Sequence, residues 1–223
     1  MTEGWRSVHE LVTLVARRDG CTARHSERVT ALGVLLASVV SPADAGCPEM
    51  RAGFLLHDVG KLAIPDAILH KPGRLTATEL LVMRAHSRAG AQMLDALGYP
   101  ARTVEVVRHH HERWDGKGYP YGLAREEIPL WARIFAVADA IDAMTSERPY
   151  RSAGTLEDAV VELFAESGRQ FDPLCVDAFC ALDRAEVEAL LERPLYSAAA
   201  RSVASKSVRG IGPTHGEPAP AWR

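Results

Sequence analysis

The sequence predicts an all-α fold, and three observations predict it. Apolar residues recur three and four apart in almost every stretch between turns, which is the spacing of one helix face. No run alternates apolar and polar residues for long enough to make a strand. The connections are short and written in glycine and proline.

Val8, Leu11, Val12 and Val15 set a first helix over 8–18, closed by Arg17-Arg18-Asp19-Gly20. A second runs from about Ala23 to Val40, with Val29, Leu32 and Leu36 on one face and Ser41-Pro42 as its stop. The third covers Pro48 to Asp58, and Gly60 reads as its terminator. Residues 64–73 are turn residues. Thr76-Ala77-Thr78-Glu79 has the spacing of a capping box and opens a long helix through about Leu97. A helix from Ala101 ends at His109-His110-His111. Gly116, Gly118, Pro120 and Gly122 make 112–129 a loop. Leu130 to Ser146 is an apolar helix with Asp139 and Asp142 three apart on one face. Thr155 to Ser167 and Pro173 to Glu192 close the bundle. Residues 1–193 read as one domain. Residues 194–223, dominated by Ala, Ser, Arg, Gly and Pro, read as a flexible tail that cannot bury enough surface to order itself.

Composition excludes several classes. A hydrophobic content of 47% with 25% charged residues is ordinary for a globular protein, and a net charge of -3 gives no reason to expect nucleic acid as a partner. The longest apolar stretch, Ala31 to Val40, is far short of the roughly 20 residues of a membrane helix. Cys21, Cys47, Cys175 and Cys180 form no CxxC pair, which fits a reducing, cytoplasmic compartment.

The chemistry centres on Phe54-Leu55-Leu56-His57-Asp58-Val59-Gly60-Lys61. Neighbours on a helix point about 100° apart, so His57 and Asp58 meet only on a target between them, such as a metal ion. Lys61 would then be free to reach an anion. His25, His86, His110, His111 and Asp139 each sit in or beside an apolar helical pattern. Five histidines and two aspartates spread over five helices suit a bundle that converges on metal. Asp58, with two oxygens, could bridge two ions.

His25-Ser26-Glu27-Arg28-Val29, His57-Asp58-Val59-Gly60-Lys61, Ile64-Pro65-Asp66 and His110-His111-Glu112-Arg113-Trp114-Asp115-Gly116-Lys117-Gly118-Tyr119-Pro120 resemble the HD-GYP family. So do Ala138-Asp139-Ala140-Ile141-Asp142-Ala143-Met144-Thr145, Arg148-Pro149-Tyr150-Arg151 and Gln170-Phe171-Asp172-Pro173. The resemblance implies an HD-domain helical bundle with C-terminal HD-GYP helices. It implies two divalent ions, iron or manganese, one held by His25, His57, Asp58 and Asp139, the other by Asp58, His86, His110 and His111. It further implies hydrolysis of cyclic di-GMP to pGpG, GMP or both by a hydroxide bridging the ions, with Asp58 and Lys61 catalytic. Lys61, Arg148 and Arg151 would contact phosphate, and Tyr119 a base or the pocket wall. The alternatives are a phosphohydrolase for another nucleotide, such as cyclic GMP-AMP or a phosphorylated nucleoside, and a catalytically silent cyclic dinucleotide receptor. The Gly-rich loop is implicated in binding a diguanylate cyclase domain or a sensor or receiver partner, and a homodimer is compatible with the family. Asp142 is expected to orient a ligand or to pair with Lys61. Cys21 stands where some similar proteins place a glutamate near a third ion, and it is expected to be a small core residue with two metals per chain.

Overall fold

The computed structural model describes residues 3–19, 22–147 and 153–192. Cys21, Arg148, Arg151 and the stretch 194–223 lie outside the described residues. The helices are α1 (Glu3–Arg18), α2 (Thr22–Val40), α3 (Pro48–Leu55), α4 (Asp66–Leu69), α5 (Ala77–Arg84) and α6 (His86–Ala96). They continue with α7 (Ala101–His109), α8 (Leu130–Thr145), α9 (Leu156–Ala165), α10 (Pro173–Cys180) and α11 (Arg184–Glu192). Two 3₁₀ segments, Val59–Ala63 and Arg125–Glu127, join them. Among the described residues, β pairing is limited to two isolated bridges, Asp115–Ala124 and Ser167–Phe171. No helix of the described residues is long and apolar enough to cross a membrane.

The core has two parts, and α3 serves both. In the larger, Val29, Leu32 and Leu36 of α2 pack with Phe54 of α3, with Ile134, Phe135 and Ile141 of α8, and with Leu163 of α9. The smaller joins Val8 and Val15 of α1 to Leu56, to Leu94 of α6 and to Val104 and Val107 of α7. Fully buried side chains of this size are worth about 1.5–3 kcal/mol each relative to exposure, so both parts hold the helix ends that carry the polar residues. At the back, Arg133 of α8 donates to Asp172 at 2.6 Å. Asp172 also caps α10 by accepting the Leu174 amide at 2.9 Å.

Five boundaries differ from the sequence reading, the first being that α1 begins at Glu3 rather than at Val8. The third helix stops at Leu55, and the chain tightens through 56–58 into the 3₁₀ segment, so Gly60 does not terminate it. Gly60 is instead a close-approach residue: a Cβ there would stand 1.8 Å from the His86 carbonyl oxygen. The turn segment contains the short α4. The Thr76 capping box forms, with the Thr76 hydroxyl accepting the Glu79 amide and Glu79 accepting the Thr76 amide. The helix it opens breaks at Ala85, whose amide turns back to Val82 O, while the His86 ring takes Met83 O. The last helix breaks after Cys180, and Asp183 starts α11 by accepting the Glu186 amide.

Candidate metal centre

Three helices end in the same way at one place in the bundle. The last carbonyls of a helix have no partner within it. His57 turns Nδ1 onto Phe54 O of α3 at 2.9 Å, His86 onto Met83 O of α5 at 2.7 Å, and His110 onto Val107 O of α7 at 2.8 Å. A carbonyl only accepts, so each Nδ1 carries a proton and each Nε2 is turned into the cluster, where a neutral ring presents a lone pair. All three residues are buried. The Nε2 atoms of His86 and His110 face each other at 3.2 Å. Two buried lone pairs at that distance repel unless a cation lies within reach of both, so the donor set fits a metal.

The described residues contain two groups able to hold an ion, with ligand atoms within 4.8 Å of one another in each. One is His25, His57 and Asp58; the other is His86, His110 and His111. Asp58 faces both: Oδ2 lies 3.2 Å from His57 Nε2, and Oδ1 lies 3.5 Å from His86 Nε2. Asp139 reaches from α8, with Oδ1 3.2 Å from His25 Nε2. All seven residues singled out as ligands in the sequence are therefore in one cluster. Phe135 forms its apolar floor, 4.7 Å from the His57 ring centre and 5.7 Å from that of His110.

The electrostatics divide the cluster. Burial holds His110 far below the ordinary histidine value and His111 at about 3, with neighbouring imidazoles adding to the effect. Burial lowers His86 as well. These rings are neutral, the form that binds metal. Burial opposes the charge on Asp58, but His57 and Lys61 outweigh it and hold the carboxyl well below its usual range. His25 moves the other way: burial lowers it, while Asp139 and Asp142 together raise it to about 9. A divalent ion at Nε2 would compete with that proton for one lone pair, so binding there releases it.

Neighbouring residues fix these positions. Asp142 accepts from His25 Nδ1 at 2.8 Å and from Arg28 Nε, and Arg28 also donates to Ser146 Oγ at 2.7 Å. Asp142 thus orients the His25 ring, and the described contacts of Lys61 are with Asp58 and Asp19 instead. Lys61 Nζ lies 2.9 Å from both Asp58 and Asp19. Burial alone would lower its pKa, and the two carboxylates raise it above the lysine norm. Tyr119 lays its ring on His111, centres 4.6 Å apart at 30°, with the Arg84 guanidinium 5.0 Å from its ring centre. A cleft of about 740 Å³ runs from His111, Asp139 and Tyr119 along α8 and α9 to Glu162 and Gln170, a size suited to a small-molecule ligand.

Sequence reasoning missed Asp19, Arg28 and Arg84. Arg28 carried a signal, one turn after His25 and able to share its face. Asp19 carried none, because its partner is 42 positions away. The Gln170-Phe171-Asp172-Pro173 motif proves to dock the Gly-rich loop. The carbonyls of Gln170 and Arg169 accept the amides of Trp114 and Asp115, and Gln170 Oε1 accepts from Arg113 at 2.7 Å.

Residues 11–174 match a family model described as an HD domain. The chain is 42% identical to a cyclic di-GMP phosphodiesterase response regulator of Xanthomonas campestris pv. campestris, over 82% of this chain and 48% of that protein. It is 41% identical to a cyclic di-GMP phosphodiesterase of Thermotoga maritima, over 79% and 49%. It is 39% identical to 3'3'-cGAMP-specific phosphodiesterase 2 of Vibrio cholerae, over 76% and 33%. The chain spans about half the length of the first two relatives and a third of the last. In fold it is similar to a cyclic GMP-AMP specific phosphodiesterase of V. cholerae, with a TM-score of 0.63 at 18% identity, covering 84% of this chain and 51% of that one. An HDG"Y"P protein from Bdellovibrio bacteriovorus aligns with a TM-score of 0.56 at 20% identity, over 71% and 51%.

Proposed function

The chain belongs to the HD domain family, and from that premise we propose that it is a cytoplasmic metal-dependent phosphodiesterase whose substrate is cyclic di-GMP and whose product is pGpG, GMP or both. The observation that carries this reading is Asp58, with one carboxylate oxygen toward each of two ligand groups whose imidazoles turn Nε2 into the cluster. The domain responsible is 1–193.

In this reading His25, His57, Asp58 and Asp139 hold one ion, and Asp58, His86, His110 and His111 the other. Imidazole and carboxylate donors without a thiolate suit iron or manganese. Bound there, divalent ions would supply Lewis acidity toward a phosphoryl oxygen and lower the pKa of water. The remaining work falls to the chain. Asp142 holds His25 with Nδ1 as donor, leaving Nε2 for the cation. Lys61, fixed between Asp58 and Asp19, keeps a positive charge at the site edge where a phosphodiester would gain negative charge. Phe135 keeps water from beneath His57 and His110. Tyr119 walls the cleft for a base, and Arg148 and Arg151 contact the phosphates. The loop around Tyr121, which is 55% exposed, offers the surface for a diguanylate cyclase domain or a sensor or receiver partner.

Cyclic GMP-AMP is the second reading, supported by 39% identity to a relative named for it. Both nucleotides share a guanine and two phosphodiesters, so the metal cluster serves either. The test is anaerobic purification, metal analysis, and separate incubation with each nucleotide followed by chromatography. Faster hydrolysis of cyclic di-GMP supports the first reading, faster hydrolysis of cyclic GMP-AMP the second. No hydrolysis of either by metal-loaded protein overturns both.

A further inference from the structure

The loop between α7 and α8 turns on a carboxylate that none of the roles above uses. Glu112 directly follows His110 and His111, and its side chain is 0% exposed. Oε1 accepts the Tyr121 amide at 2.8 Å, and Oε2 accepts the Leu123 amide at 3.1 Å. Within ion-pair distance the described residues offer it only the His109 imidazole, 3.8 Å away. Its charge is therefore met chiefly by the backbone of one turn, a small anion nest built by the chain for its own carboxylate.

That turn governs where Tyr119 sits. The chain passes back over its own start at Gly118, where a Cβ would stand 2.4 Å from the Arg113 nitrogen and 2.5 Å from Glu112 Cα. The next residue, Tyr119, donates its amide to His111 O at 3.2 Å and lays its ring on the His111 imidazole. Two residues further on, the chain meets Glu112. Tyr119 is thus held between the crossing at Gly118 and the tie at 121–123. The Trp114 carbonyl, which accepts the Arg125 amide at 3.0 Å, closes the same loop behind the tie.

We propose that Glu112 is a positioning residue of this site: by gripping the Tyr121 and Leu123 amides it sets the Tyr119 ring against His111 and so places the cleft wall beside the ligand cluster. Glu112 lies in the cleft lining with each carboxylate oxygen taken by a loop amide, so it acts through Tyr119. The placement of the loop stands on its own, and only the effect on turnover rests on the function proposed above.

The test uses the full chain, metal-loaded, as Glu112→Gln, Glu112→Ala, Tyr119→Ala and the Glu112→Ala/Tyr119→Ala double variant. Amide hydrogen exchange at Tyr121 and Leu123 is expected to quicken at least about tenfold in Glu112→Ala, since both amides lose their acceptor. Amides of α2 and α8 should stay at wild-type rates. Gln keeps one oxygen acceptor and should fall between. With cyclic dinucleotide, kcat/KM should drop about 10- to 100-fold in Glu112→Ala, as for residues that orient a site from behind. The double variant should be no worse than Tyr119→Ala, because both changes remove one arrangement. Wild-type exchange at Tyr121 and Leu123 in the Glu112 variants would overturn the proposal, and so would additive losses in the double variant. Should Glu112→Ala not fold, Glu112→Gln decides: partial quickening confined to the loop supports the proposal, and wild-type exchange overturns it. The exchange arm reads out even if neither nucleotide is cleaved, so failure of the substrate reading is distinguishable from failure of this one.

Discussion

Gly60→Ala tests how the two ligand groups are held in register. A Cβ at Gly60 lies 1.8 Å from the His86 carbonyl oxygen, 2.5 Å from the Gly90 amide nitrogen and 2.8 Å from the His86 carbonyl carbon. All three are backbone atoms of α6, so no side chain can rotate away. Relief requires the first turns of α6 to move off the 3₁₀ segment by more than about 1 Å, in an interior packed as densely as an organic crystal. Overpacking usually costs about 1–3 kcal/mol, and a clash of backbone with backbone belongs at the upper end. In a domain of this size each kcal/mol lowers Tm by about 2–4 °C, so the variant should melt about 6–12 °C below wild type. The displaced carbonyl belongs to His86, whose Nε2 is 3.5 Å from Asp58 Oδ1. Metal affinity should therefore fall on the order of tenfold or more. Calorimetry of the metal-free protein and metal titration followed by elemental analysis measure the two effects separately. A variant with the melting temperature and metal affinity of wild type would refute the close-approach argument.

Asp58→Ala should lose metal from both ligand groups and all hydrolysis, since one carboxylate faces both; retention of two ions per chain by elemental analysis would remove it as the shared ligand. Replacing Arg148 and Arg151 together with Ala should raise KM on the order of tenfold, the worth of a charge-assisted hydrogen bond or two, while metal content stays at wild type. An unchanged KM would make them surface charges. Asp115 is held at about 2 by its hydrogen bonds with Arg113, below the unfolded carboxylate value of about 3.9. Its contribution to stability is thus complete above about pH 4 and is lost as pH falls through the folded value near 2. Asp115→Asn should flatten the acid limb of a stability–pH curve in that window, and an unchanged slope would show that the pair does not contribute.

Patterns in the sequence act over a short range, and that range sets what is legible in it. Helical period is a local property, so Val29, Leu32 and Leu36 announce a buried face of α2 without knowledge of what covers it. Donor chemistry is also local: His57 beside Asp58 asks for a cation, and the capping spacing at Thr76 forms as read. The family resemblance then supplied which histidines belong together. What tertiary structure alone decided are contacts between elements far apart in the chain. Asp142 lies 117 positions from His25, and packing of α8 on α2 gives it that ring rather than Lys61. Lys61 lies 42 positions from Asp19, and the end of α1 brings that carboxylate to it. Gly60 reads as a helix stop in one dimension, because a local signal cannot show that α6 will pass within a Cβ's radius of it. A period tells which side of a helix is turned inward; only the packed bundle sets which atoms meet there, and at what distance.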